Sequence, residues 1–126
     1  MNAVFDSDIL IDHLKGNKEA TTLLQDCIHA GNTPTCSVLT RIELLSGMRP
    51  GEERQLERFF VCFSIIQVTD EIATTAGMYI NRYRKSHGTN VADAIIAATA
   101  KHTGYRLYTR NLKHYPMDDI EVIKPY

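Results

Sequence analysis

The chain has 126 residues, of which 44% are apolar and 23% are charged, a composition typical of a single globular domain over residues 1–126. Its formal net charge of −1 does not suit a stand-alone binder of duplex nucleic acid, because such proteins gain their affinity by neutralising phosphates. The first residues carry no basic region and no long apolar run, so we expect no secretory signal, and no apolar stretch is long enough to span a bilayer. We therefore expect a protein of the reducing cytoplasm with buried thiols at Cys27, Cys36 and Cys62, which form neither a zinc pattern nor a redox pair.

The first half of the chain alternates short apolar runs with helical patterns. The predicted elements are a strand at 2–6, a helix ending near Gly16, a helix at 18–30, a strand at 33–36 and a helix from Ser37 to Pro50. We expect Ser7 or Asp8 to cap the first of these helices. The third helix is strongly periodic, and its predicted apolar face consists of Val38, Leu39, Ile42, Leu45 and Met48.

The second half continues the alternation. It predicts helices at 52–62, 70–86 and from Asn90 to Thr103, with strands at 64–68, 105–109 and 120–123. Short apolar strands between helices indicate an α/β fold with a mainly parallel sheet covered on both faces. Sites in such sheets lie at the carboxyl ends of the strands, which is where Asp6 and Asn111 fall.

Asp6 is the acidic residue with the clearest functional signal. It directly follows the apolar residues of the first strand, and a buried carboxylate is costly unless it is paired, hydrogen-bonded or bound to metal. Because Ser7 and Asp8 are better placed to cap the helix, we interpret Asp6 as a site residue.

Glu43 lies inside the periodic helix, on one face with Thr40 and Gly47. This face offers a carboxylate, a hydroxyl and room for a close approach. The alternative is a solvated glutamate paired with Arg41 or Arg49, and the position within an apolar run favours the site.

Asp93 has a credible structural role as well as a functional one. Asn90 and Asp93 have the spacing of a capping box, and an acid in the first turn suits the helix dipole. Thr109 and Asn111 follow a predicted strand, where Asn111 is either a neutral oxygen ligand or a turn residue.

Several carboxylates gathered at one point repel each other unless a cation is present, and hard oxygen ligands select Mg²⁺ or Mn²⁺. Such an ion supplies what phosphodiester hydrolysis needs. The histidines show no metal-ligand spacing, and the chain contains no nucleophile elbow and no phosphate-binding glycine loop. Positive residues cluster at 82–87 and at Arg110, Lys113 and His114, and such runs usually lie on solvated faces. The second group adjoins Asn111, which offers a way to hold phosphates. For Tyr108 and Tyr115 we favour a core or surface role, with stacking on unpaired bases as the alternative.

Four segments resemble, in order, the motifs of PIN-domain ribonucleases, specifically the VapC-type toxins of bacterial and archaeal toxin–antitoxin pairs. VFDSDILID resembles the family's opening strand with its first aspartate, and SVLTRIELLSGM resembles the helix with its glutamate. NVADAIIAATA resembles the helix with the second aspartate, and LYTRNLKHY resembles the last segment, where the family has aspartate or asparagine. Together they span almost the full chain.

The resemblance implies a three-layer α/β/α sandwich and a metal-dependent endoribonuclease that inhibits translation by cutting a structured RNA, such as a transfer or ribosomal RNA. It implies Mg²⁺ or Mn²⁺ bound chiefly by Asp6 and Asp93, with Glu43 close by. It also implies a homodimer held in check by a VapB-like antitoxin, in a heterotetramer or larger complex. Asn111 replaces the fourth acid of many relatives, so we expect one resident cation and a second that arrives with RNA.

Our mechanistic hypothesis is that Glu43 orients or deprotonates a water molecule, whose in-line attack leaves a 5′-phosphate. Supporting residues would position water or phosphate, and they are Ser7, Thr40, Thr109, Arg110 and Asn111.

Two other functions remain open from the sequence. VFDSDIL also resembles the opening motif of haloacid-dehalogenase-type phosphatases, in which Asp6 would be the nucleophile and Asp8 the general acid, although Glu43 is then unexplained. The second alternative is a catalytically silent module that binds partners.

Overall fold

The computed structural model describes residues 2–126. Its elements are β1 (Ala3–Phe5), α1 (Ser7–Leu14), α2 (Lys18–His29), β2 (Thr35–Ser37), α3 (Val38–Ser46), α4 (Glu53–Val61), β3 (Ser64–Ile66), α5 (Asp70–His87), α6 (Val91–Thr103), β4 (Arg106–Tyr108) and β5 (Val122–Ile123). A short 3₁₀ helix at Leu112–His114, which the sequence patterns did not predict, follows β4. Every predicted helix and strand is present, with bounds that differ from the prediction by at most four residues.

The strands form one sheet in the order β3-β2-β1-β4-β5, and all neighbouring strands are parallel. The chain builds outward from β1 on one side through β2 and β3, and on the other side through β4 and β5. The switch point of the sheet therefore lies between β1 and β4, where Phe5 is in register with Tyr108. Ligand sites of open α/β sheets form at such points, outside the carboxyl ends of the strands.

Helices cover both faces of the sheet. Successive side chains of a strand point to opposite faces, so Val4 packs with α5 and α6 while Phe5 packs with α1 to α4. Both residues are fully buried. The three-layer α/β/α architecture with a parallel central sheet is thus confirmed.

The predicted apolar face of α3 was partly wrong. Ile42 is 60% exposed, whereas Thr40 is fully buried and Leu44 is 4% exposed. The buried side of the helix runs through Thr40 and Leu44 because the hydroxyl of Thr40 finds a polar partner inside the protein. Residue polarity alone could not reveal that partner.

The helices of residues 2–126 include none that is both long enough and apolar enough to cross a membrane. Of the cysteines, Cys36 is buried, Cys27 is half-buried and Cys62 is exposed, so the prediction that all three thiols are buried was wrong for Cys62.

Candidate active site

Asp6 lies immediately after β1, at the switch point of the sheet, and is 7% exposed. Its Oδ1 accepts a hydrogen bond from the N–H of Ser7 at 2.7 Å. Because α1 begins at Ser7, Asp6 is itself the N-cap of this helix, and the prediction that Ser7 or Asp8 caps it was wrong. Capping accounts for one oxygen of Asp6 and leaves the other to be explained.

The Oδ2 atom of Asp6 is held by two hydroxyl groups from the other side of the switch point. Thr109, fully buried just after β4, donates from Oγ1 at 2.8 Å. Tyr115, which is 4% exposed, donates from its hydroxyl at 2.9 Å. Since it is buried, Tyr115 is not available to stack on RNA bases, and the core role favoured for it is confirmed.

Asp93 faces Asp6 from the first turn of α6. Asn90 caps this helix as predicted, its Oδ1 accepting the N–H of Asp93 at 2.8 Å. The carboxylate of Asp93 is directed to the site, with Oδ1 3.5 Å from the Tyr115 hydroxyl and Oδ2 3.4 Å from Nδ1 of His114. The Tyr115 hydroxyl therefore lies between the carboxylates of Asp6 and Asp93.

Glu43 reaches the same site through Ser7. Its Oε1 accepts a hydrogen bond from Ser7 Oγ at 2.8 Å, and Ser7 Oγ lies 3.2 Å from the hydroxyl of Thr40. Ser7 and Thr40 are buried, whereas Glu43 is exposed on α3. The alternative pairing of Glu43 with Arg41 is not seen, because Arg41 pairs with Glu57.

Asp8 is a further carboxylate at this edge, which the sequence predicted only as a helix cap or, in the phosphatase alternative, as the general acid. Its Oδ2 accepts hydrogen bonds from the N–H of Arg110 at 2.9 Å and from Nδ2 of Asn111 at 3.1 Å. Its Oδ1 is buried without a hydrogen-bond partner. The available signal was the spacing of Asp6 and Asp8, which places two acids at the end of one strand.

The supporting residues predicted after β4 take different places. Thr109 contacts Asp6, and Asn111 contacts Asp8. The guanidinium group of Arg110 is bound by Asp12 of α1, with Nε 2.6 Å from Oδ2, so in this structure it neutralises that acid. Lys113 and His114 are exposed on the 3₁₀ helix at the rim of the site.

Burial is the main cause that raises the pKa of Asp6, Asp8 and Asp93 above the ordinary aspartate range. Mutual repulsion adds to it: the charge of Asp6 raises the pKa of Asp8, and the charge of Asp8 raises the pKa of Asp93. The hydrogen bonds from Thr109 and Tyr115 act in the opposite direction on Asp6. The site therefore concentrates negative charge at a free-energy cost that a cation would remove.

The donor atoms fit a hard divalent cation, since they are carboxylate oxygens, one of which is buried and unpartnered. Within residues 2–126, however, no three acidic, histidine or cysteine side chains converge as a ready set of ligands. The Tyr115 hydroxyl between Asp6 and Asp93 accounts for part of this separation. The arrangement suits an ion that takes one or two carboxylates directly and keeps several of its waters, as Mg²⁺ usually does.

The fold is an α/β/α sandwich with a fully parallel sheet, and acidic side chains lie at the switch point of that sheet. These two features define a class of α/β domains whose functional site is built from carboxylates. A family model described as "PIN domain" matches residues 3–119. The chain belongs to the PIN-domain family.

Two curated relatives come from Mycobacterium tuberculosis. "Ribonuclease VapC19" is 41% identical over 115 residues, which cover 90% of this chain and 92% of that protein. "Ribonuclease VapC10" is 39% identical over 121 residues, which cover 95% and 89% respectively. Both carry the name of a ribonuclease, and the phosphatase alternative finds no support in them.

Solved structures with the same fold include a toxin–antitoxin complex from Klebsiella pneumoniae, with a TM-score of 0.78 and 29% identity over 98% of each chain. The VapBC-1 structure from nontypeable Haemophilus influenzae has a TM-score of 0.81 and covers 99% of this chain and 98% of that one. At 20% identity, the second structure supports the fold alone.

Proposed function

We propose that this protein is a metal-dependent endoribonuclease that acts as the toxin of a toxin–antitoxin pair and inhibits translation by cutting a structured RNA. The observation that carries the proposal is the placement of three buried or half-buried acids at the β1–β4 switch point: the hydroxyl of Thr109 lies between Asp6 and Asp8, and the hydroxyl of Tyr115 lies between Asp6 and Asp93. Burial raises the pKa of each of these carboxyl groups. The ribonuclease names of relatives at about 40% identity support the same reaction.

Asp6 and Asp93 would hold a Mg²⁺ or Mn²⁺ ion, with Glu43 close by. When bound, a divalent cation polarises a phosphoryl oxygen and lowers the pKa of water. The chain supplies the remaining functions through its own side chains. Ser7 and Thr109 hold Glu43 and Asp6 by hydrogen bonds of 2.8 Å each, which preorganises both carboxylates before RNA arrives.

Glu43 is suited to the role of general base. Its exposed position on α3 makes it accessible to RNA and to a water molecule, and Ser7 Oγ fixes one of its oxygens. In the reaction that we propose, Glu43 accepts a proton from the attacking water as the new bond to phosphorus forms. The bond from phosphorus to the 3′-oxygen breaks, and this oxygen takes a proton from solvent water, so the products are a 3′-hydroxyl and a 5′-phosphate.

A groove beside the site supports the proposal of an antitoxin partner. It has a volume of about 630 Å³, lies between α1, α3 and α4, and includes Glu43 on its wall. Its apolar lining consists of Ile11, Leu14, Leu44, Met48 and Leu56. An apolar segment of a VapB-like antitoxin would bury this surface and, by covering Glu43, would block the nuclease. Assembly as a homodimer within a heterotetramer or larger complex belongs to the same proposal.

The proposal is tested by exposing total RNA to the purified protein, free of any antitoxin, with Mg²⁺ or Mn²⁺ and with EDTA. We expect wild type to cut at defined sites in the presence of metal only, and Asp6→Asn to be inactive. Asp118→Asn, which removes an exposed acid outside the site, is the control for net charge and should cut like wild type. Full activity of Asp6→Asn would refute the assigned site, and an inert wild type would favour the catalytically silent module.

A further inference from the structure

Asp8 carries a buried oxygen that no other group of the described chain satisfies. Its Oδ2 accepts from Arg110 N and Asn111 Nδ2, and it also lies 3.4 Å from Thr109 Oγ1. Its Oδ1 has no hydrogen-bond partner although the atom is buried. The N–H of Ile9 is near enough to stabilise the ionised carboxylate of Asp8, but it donates its hydrogen bond to the carbonyl oxygen of Asp6 at 3.2 Å. A buried carboxylate oxygen left without a donor is costly, so this atom calls for a function.

Capping does not explain Asp8. The N-cap of α1 is Asp6, whose carboxylate already receives the N–H of Ser7. The guanidinium group of Arg110 forms its ion pair with Asp12 and none with Asp8, so its charge acts on Asp8 only from a distance. Asp8 receives only a main-chain N–H from Arg110. These contacts orient the carboxylate without cancelling its charge.

The position of Asp8 joins it to the proposed metal site. The hydroxyl of Thr109 lies between the two acids, 2.8 Å from Oδ2 of Asp6 and 3.4 Å from Oδ2 of Asp8. The hydroxyl of Tyr115 in turn lies between Asp6 and Asp93, 2.9 Å from Oδ2 of Asp6 and 3.5 Å from Oδ1 of Asp93. Asp8 is therefore part of the same negative cluster as the two acids assigned to the cation.

We propose that Asp8 is an outer carboxylate of the metal site, with Oδ1 accepting hydrogen bonds from the water molecules that the cation retains, and with Asn111 as the positioning residue that holds Oδ2. This inference rests on the proposed metal-dependent nuclease. It accounts for the unpartnered oxygen, for the absence of three converging direct ligands in residues 2–126 and for the neutral residue at position 111. Asn111 is neutral, and the carboxylate of Asp8 supplies a negative charge beside it, with Oδ2 of Asp8 3.1 Å from Nδ2 of Asn111.

The experiment measures Mn²⁺ affinity by titration calorimetry, which does not depend on RNA cleavage. Groups that support metal ligands from outside typically contribute roughly 10- to 100-fold in affinity, and we expect a loss in this range for Asp8→Asn. Because Asn111 touches Asp8, the exchange variant Asp8→Asn with Asn111→Asp restores a carboxylate in the same contact and should recover most of the affinity. Asp118→Asn, which likewise removes one negative charge, should bind like wild type.

The outcomes separate the inference from the proposed function. A wild type that does not bind Mn²⁺ would overturn both. Wild-type affinity in Asp8→Asn would overturn the inference and leave the nuclease proposal standing. Weakening that the exchange variant does not reverse would also overturn it, since charge at this place would then not be the cause. Asn111→Ala retains every carboxylate and should weaken binding less than Asp8→Asn, so a larger loss would count against the assigned roles.

Discussion

Replacing Tyr115 with phenylalanine removes one hydroxyl group from the centre of the site and leaves the buried ring in place. In wild type this hydroxyl donates to Oδ2 of Asp6 at 2.9 Å and lies 3.5 Å from Oδ1 of Asp93. It thus occupies the space between the two carboxylates that a shared cation would enter. We predict that Tyr115→Phe destabilises the metal-free protein and that Mn²⁺ removes most of this deficit.

The magnitude follows from the hydrogen bonds that remain. A hydrogen bond to a charged group contributes about 1.5–3 kcal/mol. Asp6 keeps the N–H of Ser7 and the hydroxyl of Thr109, so we expect the lower end of this range. A loss of about 1.5 kcal/mol lowers the Tm of a chain of this length by roughly 5 °C. A bound Mn²⁺ ion would balance the charge of Asp6 and displace the Tyr115 hydroxyl from it. Wild type would then lose the same hydrogen bond that the variant already lacks, so the two proteins would differ less in stability.

The assay is thermal unfolding in EDTA and in saturating Mn²⁺. Tyr79→Phe is a matched control, because Tyr79 is 5% exposed and its hydroxyl donates to Asp119 at 2.8 Å, outside the site. The control should lose a similar amount of stability in both conditions. If the Tm deficit of Tyr115→Phe is the same in EDTA and in Mn²⁺, the hydroxyl does not compete with a cation and this reasoning is refuted.

The deficit in EDTA also depends on pH. Burial raises the pKa of Asp6 above its usual value, and the Tyr115 hydroxyl lowers it, so its removal raises this pKa further. Between the wild-type and variant values, the folded variant binds more protons than folded wild type, while the unfolded chains are alike. The free energy of unfolding of the variant therefore falls relative to wild type as pH rises through this interval. The deficit should be smallest below it and complete above it.

Two further predictions concern the other acids of the site. Ser7→Ala removes the hydrogen bond to the Glu43 carboxylate and should lower kcat roughly 10-fold with little change in Mn²⁺ affinity, since a general base is worth about 10²–10⁴ in rate. Ser46→Ala, whose hydroxyl contacts the main-chain carbonyl of Glu43, should retain the rate, and an equal loss in both variants would contradict the role of Ser7. Asp93→Asn should raise the Tm in EDTA at neutral pH, because burial and the charge of Asp8 penalise the ionised form of Asp93. The same variant should show a smaller gain in Tm when Mn²⁺ is added. A lower Tm in EDTA would be inconsistent with this electrostatic account.

The fold could be predicted because its helix ends and strands are marked by residues close to them in the sequence. Asn90 supplies the side-chain cap of α6, and Gly104 ends that helix with a left-handed backbone, φ 73°. Such residues act within a few positions of themselves, so the sequence alone reveals them. The alternation of strands and helices likewise predicted the parallel sheet, because parallel neighbours need a crossover between them.

The site was predicted less completely because its contacts join distant parts of the chain. The bond from Tyr115 to Asp6 spans 109 positions, and the bond from Asn111 to Asp8 spans 103. No periodicity reports such pairs. Asp8 was interpreted as a helix cap for this reason, while the real cap was Asp6, the residue that sequence reasoning had judged free of a structural role.

The central claim is that the carboxylates around Asp6 and Asp93 cleave RNA by metal-assisted hydrolysis. The most direct test is the chemical identity of the RNA ends that wild type produces. Hydrolysis in which water attacks phosphorus predicts 5′-phosphate and 3′-hydroxyl ends, formed only when Mg²⁺ or Mn²⁺ is present. Products with 5′-hydroxyl and 2′,3′-cyclic phosphate ends, formed equally in EDTA, would show that the neighbouring ribose hydroxyl is the nucleophile and would contradict the account.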